Sequence, residues 1–423
     1  MTPSSINTEN QTSTRPASLL RNRDYMLLWS GQVISTLGTT ASSIVYPLLI
    51  LALTNSPIAA GVAGALGTVP YIVFSLPVGA LIDRWDRKRV MILCDIGRGL
   101  TLASIPIAMF FGVLTVWQIY IAALVEGSLF VFFNIAEVAA LSRVVGKEQL
   151  PAAAAQNEAA YATAAILGPS FGTFLYQFGR GFPFIADAVS YAISVVSLFF
   201  IKTQFQLERV AVKRDLRAEI AEGLTWLWHQ PLIRYIAGLT GGYNLVNAAA
   251  PLIIIVLAKK MGAQDAQIGL IFSIAGVGGI IGALIGGQIQ RRFSFGQVIT
   301  GVSWTLALLF PLYAVAPHFF LLGVVAGLIY MNLPVYDVVQ FSYRLALIPD
   351  ELQGRVNSTF RLLAFGFQPL GAALSGVLLE RLGTTPTVIV FSIWYLLLAV
   401  FTTFNTHVRN AAPLERAVEE MMS

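Results

Sequence analysis

Charge is the scarcest component of this sequence. Only 12% of its 423 residues are Asp, Glu, Lys or Arg, against roughly 25% in soluble domains. So few charges cannot cover a water-facing surface. With 56% hydrophobic residues and a mean hydropathy of +0.72, most of the chain is expected to lie in lipid. Cysteine is nearly absent as well. Cys94 stands alone, which excludes disulfides within the chain and cysteine metal clusters. His229, His318 and His407 are scattered, without the spacing a metal site needs. There is no Gly-Lys phosphate loop, no His-Glu-x-x-His and no serine-nucleophile motif. The sequence therefore gives no reason to expect ATP hydrolysis, an enzyme, a metal or a cofactor. The first twenty residues, rich in Ser, Thr and Asn, hold no continuous apolar stretch. They read as a disordered tail rather than a cleavable signal, so the first spanning helix directs insertion.

What the sequence does have is long apolar runs. Twelve of about 20 residues lie near 25–53, 58–82, 90–112, 116–141, 152–177, 181–202, 232–258, 265–289, 297–316, 318–342, 356–380 and 385–406. Lipid offers no partner to an unpaired backbone group, and these runs are too continuous for barrel strands, so they are predicted as helices. The expected fold is an all-α integral membrane protein of twelve transmembrane helices. Lys and Arg number 22 on one side of this topology and four on the other, with Arg98 inside a span. That bias predicts both termini in the cytoplasm of an inner-membrane protein. It also accounts for the net charge of +5 without any nucleic-acid partner.

A polar stretch from Thr203 to Gln230 separates six spans from six. The predicted organisation is a tail at 1–24, a six-helix bundle at 25–202, a linker at 203–231, a second bundle at 232–406 and a tail at 407–423. Within the linker Leu216, Ile220, Leu224 and Leu227 recur at helical spacing, predicting an amphipathic helix on the inner leaflet that tethers the bundles. The halves echo one another. Glu137, Asn157 and Pro169 return as Asp337, Asn357 and Pro369, each 200 residues on, and "GALIDR" returns faintly as "GQIQRR". Duplicated halves point to two pseudo-symmetric bundles that rock around a central site.

Between the second and third spans six charges fill seven positions in "GALIDRWDRKRV", residues 79–90. Gly79 leaves room for a close helix neighbour. Asp83 stands where the helix leaves the hydrocarbon, able to meet an Arg or a helix N-terminus. This Gly-x-Leu-x-Asp-Arg-x-x-Arg-Lys pattern resembles the signature loop of the major facilitator superfamily, with Gly79, Leu81, Asp83, Arg84, Arg87 and Lys88 matching. The resemblance implies a twelve-helix transporter fold in which the loop gates the cytoplasmic side and the Asp takes part in a lock between bundles. In the second copy Arg291 replaces the acid. The stretches 19–38, 69–93, "ILGPSFG" and "IPDELQGRVNS" are similar to the branch of macrolide efflux pumps and enterobactin exporters. "GPSFG" also resembles the antiporter motif of the fifth helix, where Pro169 removes an N–H while Gly168 and Gly172 permit close packing. Relatives often carry an acid just after the glycine of the first span; here Thr39 follows Gly38.

Ionisable groups inside spans are candidates for function. Asp95 and Arg98 lie one turn apart and are expected to neutralise each other near the gate. Glu137 and Asp337, at repeat-related positions, suggest gate or packing roles. Glu126 lies at mid-depth with no cation three or four residues away, so it reads as an unpaired carboxylate able to exchange a proton; Asp187 and Asp337 are further coupling candidates. Phe130, Phe132, Phe133, Tyr243 and Asn244 are expected to line a wide apolar cavity. The reading is a monomeric secondary transporter in the lipid bilayer, exporting an amphipathic drug or siderophore in exchange for protons by alternating access. An importer of a polar metabolite is disfavoured by the thin polar content of the spans. A sensor or scaffold would predict an added soluble domain.

Overall fold

The computed structural model describes residues 19–82, 84–206, 216–349 and 352–411, and among these the chain is helical throughout. The first half comprises α1 (Arg23–Thr54), α2 (Pro57–Ile82), α3 (Arg87–Phe110), α4 (Val116–Val144), α5 (Leu150–Phe178) and α6 (Phe182–Phe200). A linker helix α7 (Leu216–His229) leads into α8 (Pro231–Lys260) and α9 (Asp265–Arg292). Then α10 (Phe295–Leu309) and α11 (Leu312–Val315) together make one crossing, followed by α12 (Phe319–Leu347). A further crossing is broken into α13 (Gln353–Phe365) and α14 (Gln368–Leu382), and α15 (Thr384–Phe404) and α16 (Thr406–Arg409) end the chain. Among the described residues eleven helical segments are long and apolar enough to cross a membrane. The twelfth crossing is α5, whose entry carries Gln156, Asn157 and Glu158 and so dilutes its hydropathy.

Turn chemistry explains the hairpins. Asp86 caps α3 by accepting from the Arg89 amide, and Ser294 and Gln297 form a capping box on α10. At the opposite ends of the helices the chain turns on Asn55, Gly112, Gly262 and Gly383, all with φ between 53° and 84°; the three glycines lack the Cβ that penalises this region, and Asn tolerates it better than most side chains. The start of α1 and the end of α6 share one side: Asp24 Oδ2 accepts from the Lys202 and Thr203 amides at 3.1 and 2.8 Å. We call this the linker side and its opposite the far side. The linker helix is docked rather than free. Gly223 lies against Arg355 and Thr359 of α13, Glu222 pairs with Arg355 at 2.5 Å, and Leu227 is buried. Lys213 and Arg214, just before this helix, lie outside the described residues.

Inside the first bundle α1 packs on α5 and α6, α2 on α4, and α3 on α4 and α6; in the second, α9 packs on α12, α8 on α14, and α10 on α12 and α15. Two seams join the bundles, α2 with α14 and α5 with α9. Both are closest towards the far side. Gly61 and Gly376 bring α2 and α14 together, Gly269 and Gly276 bring α9 against α5, and Ser56 and the Ile58 amide donate to Glu380. Small residues let the backbones meet there. The buried residues of α5 are concentrated in its far-side half, from Ala164 to Tyr176, with Ala153 alone near its entry. The bundles thus close on the far side and diverge towards the linker side. Both ends of α4 and α12 are displaced by 203 residues, which corrects the 200-residue register. By helix position Glu137 corresponds to Gln340, buried to the same degree, and Asp337 falls one turn away.

Candidate functional site

A cavity of about 640 Å³ lies between the bundles. Its walls come from α1, α2, α3, α4, α5, α8, α9, α12 and α14. On α4 the lining residues are Ala123, Glu126, Gly127 and Phe130, one face at helical spacing. Phe132 and Phe133 follow Phe130 in sequence but point elsewhere. Phe132 packs on Phe74 and Trp85, and Phe133 is buried within the first bundle. Tyr243 is bonded to Ser303 at 2.5 Å and Asn244 to the Ala364 carbonyl at 2.9 Å. On α8 the lining residues are instead Asn247, Ala248, Pro251 and Leu252, one turn farther on. Of the five residues expected to line the cavity, Phe130 alone does so. The cavity is also more polar than expected. Thr39, Ser42, Ser43, Tyr46 and Thr68 converge from the first bundle, and Asn247, Tyr330, Gln368 and Ser375 from the second. Polar residues thinly spread along the spans are gathered here by the folding of the helices.

The two charges on the cavity wall, Arg98 and Glu126, form an ion pair with Nη2 to Oε1 at 3.5 Å. This corrects the reading of Glu126 as unpaired: its cation comes from α3, a neighbour that helical spacing along α4 cannot reveal. Tyr46 donates to Glu126 Oε2 at 3.1 Å and Tyr191 to Oε1 at 3.4 Å. The guanidinium of Arg98 lies 4.2 Å from the centre of the Tyr191 ring and 5.5 Å from that of Phe130. Cation–π attraction and the ion pair together hold it away from bulk water. The expected Asp95–Arg98 pair is absent among the described residues, because Arg98 turns to Glu126. Asp95 is buried facing Ser194 of α6, on the floor of an apolar groove of about 800 Å³ between α3 and α6 on the outside of the bundle.

Asp187 completes the cluster from behind the cavity wall. It is fully buried and accepts from Ser42 at 2.5 Å and Ser190 at 3.2 Å. Thr39 bridges to the Tyr191 hydroxyl at 2.7 Å and accepts from Arg98 at 3.5 Å. One guanidinium, paired with Glu126, is thus the single cation beside two carboxylates among the cluster's described residues, within a network of hydroxyls from α1 and α6. Sequence reasoning left out Thr39, Ser42, Tyr46 and Tyr191. The signal for Thr39 and Ser42 was a run of small hydroxyls in α1 that recurs every three or four residues; Tyr46 and Tyr191 carried none.

Other expected site residues lie apart. Glu137 is buried beside Trp29, Gln32, Asn157 and Tyr161, in a pocket between α1, α4 and α5. Asp337 is exposed and bonded to Gln340. Neither lines the cavity. Gly168 and Gly172 sit against Thr40 and Ala41 of α1, and Pro169 reaches the cavity wall. In the charged turn Asp83 lies outside the described residues, and Arg84 is exposed. Arg87 donates to the Ala139 and Phe205 carbonyls at 3.1 and 3.3 Å, and Lys88 to the Ile201 carbonyl at 2.7 Å. Lys88 meets the negative carbonyl end of α6, and Arg87 stitches the start of α3 to α4 and to the segment that follows α6. Gly79 has open space beside it rather than the close neighbour expected, because the helices have diverged on this side.

Comparison with known proteins follows the same lines. The sequence profile of the Major Facilitator Superfamily matches residues 28–344. The chain is 28% identical to the multidrug efflux pump Tap of Mycolicibacterium fortuitum, over 88% of this chain and 93% of that protein. It is 26% identical to macrolide efflux protein A of Streptococcus pyogenes, covering 85% and 90%. It is 24% identical to the enterobactin exporter EntS of Salmonella typhimurium, covering 85% and 86%. Among solved structures, a bacterial homologue of the iron transporter ferroportin in an inward-facing state superposes with a TM-score of 0.71 at 17% identity, over 91% of this chain and 98% of that one. The nucleoside transporter NupG superposes with a TM-score of 0.71 at 12% identity, over 93% and 100%.

Proposed function

The chain belongs to the major facilitator superfamily, and from that premise we propose that it exports an amphipathic small molecule across the cell membrane in exchange for protons. Efflux is supported by the relatives, whose names describe a multidrug pump, a macrolide efflux protein and a siderophore exporter. The mixed wall of the cavity suits a molecule with an apolar body and a few polar groups. Proton coupling rests on one observation: the Arg98–Glu126 pair on the cavity wall with Asp187 behind it. With both carboxylates ionised the cluster is one positive charge short of neutrality, in a site where uncompensated charge is costly. A proton supplies that charge. Tyr46 and Thr39 touch both the cluster and the cavity, so arrival of substrate disturbs the same hydroxyls that hold the carboxylates. Proton uptake and release then bias the rocking of one bundle against the other. The charged turn at 83–89 acts at the linker-side gate, and the transporter works as a monomer.

The test is uphill transport in proteoliposomes with an imposed pH gradient. Glu126→Gln keeps the shape and hydrogen bonds of the protonated acid. Its pH-driven transport is expected to fall to about the level of empty liposomes, while downhill exchange survives. Glu137→Gln, remote from the cavity, is expected to keep most of its activity. Parent-like concentration of substrate by Glu126→Gln would remove Glu126 from the coupling role and leave Asp187 to be tested.

A further inference from the structure

On the linker side of the cavity, side chains of α2 and α13 bridge the two bundles. Tyr71 stands three residues beyond Thr68, the last lining residue of α2, and Arg361 stands seven residues before Gln368 on the facing crossing. Arg361 donates from Nη2 to the Tyr71 hydroxyl. Its guanidinium lies 5.6 Å from the centre of the Tyr71 ring and 6.0 Å from that of Phe365, and the two rings meet edge to face at 5.4 Å. Arg361 therefore stands at the mouth of the cavity, exposed and between the bundles.

A cation within a span is expensive unless something answers its charge. Among the described residues no carboxylate lies within 4 Å of Arg361, whose partners are a phenol and two ring faces. Behind it is a second cation. Arg344 of α12 is 4% exposed and stacks on Phe360 at 3.8 Å, and its Nε and Nη1 have no hydrogen-bond partner among the described residues. Arg344 and Arg361 are close enough to repel. The acid that faces Arg344 is Asp337, which is already bonded to Gln340. The interior of the first bundle carries an excess of acids, whereas this corner of the second carries an excess of positive charge.

We propose that Arg361, with Arg344 behind it as a fixed source of positive potential, binds an anionic group of the transported molecule at the mouth of the cavity. The group is a carboxylate, sulfonate or phosphate, so the substrates include amphipathic anions. A forked guanidinium held loosely by a phenol can exchange that contact for two charge-assisted hydrogen bonds to an oxyanion. The aromatic faces beside it receive the apolar body. This inference rests on the transporter reading above but requires no proton coupling.

The experiment uses the full chain in phosphatidylcholine nanodiscs with two matched fluorescent probes. Anilinonaphthalene sulfonate carries the anion, and N-phenylnaphthylamine lacks it. The parent is expected to bind the sulfonate more tightly than the neutral probe. Arg361→Gln is expected to weaken the sulfonate about tenfold while leaving the neutral probe unchanged, which also reports an intact cavity. Arg361→Lys should fall between, since it keeps the charge without the fork. Equal sulfonate affinity in parent and Arg361→Gln, or an equal loss of both probes, overturns the assignment. So does a parent that does not prefer the sulfonate. Discs containing phosphatidylglycerol separate the two sources of an anion. If that lipid lowers the parent's sulfonate affinity to the Arg361→Gln value, the site belongs to lipid headgroups and the substrate assignment falls. No pH gradient is present, so failure of the coupling proposal leaves this outcome untouched.

Discussion

A methyl group on Gly38 would stand 2.6 Å from Asp187 Oδ1 and 2.5 Å from Ser190 Oγ. Glycine is required here for space rather than for backbone conformation, because the fully buried Asp187 fills the volume a Cβ would take. Gly38→Ala is therefore expected to push Asp187 off Ser42 and to cost about 1–3 kcal/mol through overpacking. Gly238, with nothing within 4 Å of its Cβ position, supplies the control: Gly238→Ala should be neutral or slightly stabilising. Thermal unfolding of the two purified variants checks this, and equal melting temperatures would refute the space argument. The same crowding shows what the sequence could reveal about the site. Gly38, Glu126 and Asp187 were each visible as unusual residues. That Arg98 chooses Glu126 over Asp95, on its own helix face, was not, because the choice depends on how α3 and α4 are rotated against each other.

At the scale of elements, α9 uses its glycines on two faces for different purposes. Gly278 and Gly282 lie against the Gly327 and Met331 carbonyls of α12, within the second bundle. Gly269 and Gly276 lie against α5, across the seam between bundles; a Cβ on Gly276 would stand 2.8 Å from the Ala165 carbonyl. A leucine at either kind of site forces helices apart, but only one kind separates parts that must hold together for the protein to exist. Gly278→Leu is expected to abolish accumulation of folded protein in the membrane. Gly276→Leu is expected to fold and to hold the far side open. The single native cysteine is buried, so a Cys94→Ala background with Ser43→Cys on the cavity wall gives a clean reporter. An impermeant thiol reagent added from the far side should label it several-fold faster with Gly276→Leu. Unchanged labelling would mean that α5 and α9 do not form the far-side closure.

The whole molecule is closed on the far side by helix backbones and held on the linker side, at the cavity mouth, by the Tyr71–Arg361–Phe365 contact. A rocking transporter in this condition presents its cavity to the compartment that holds the linker. From the 22-to-4 distribution of Lys and Arg, that compartment is expected to be the cell interior. Tags fused to the two termini are expected to react with impermeant reagents only after the membrane is opened. A tag reached from outside intact cells would reverse the sides assigned to every contact described above.

The sequence by itself determined the number of crossings, the likeness of the halves and the family. The physical reason is that lipid imposes length, helicity and charge sidedness on each segment separately, so a linear reading suffices. Tertiary structure alone decided which face of each helix meets which neighbour. The phase of α4 put Phe130 into the cavity while turning Phe132 and Phe133 away, and one turn along α8 separates the lining Asn247 from the packed Tyr243. In a bilayer, apolar side chains suit lipid and protein neighbours alike, so hydrophobic pattern does not orient a helix. Orientation comes from where small residues let backbones meet and where the few buried charges find one another, and both are properties of pairs of helices.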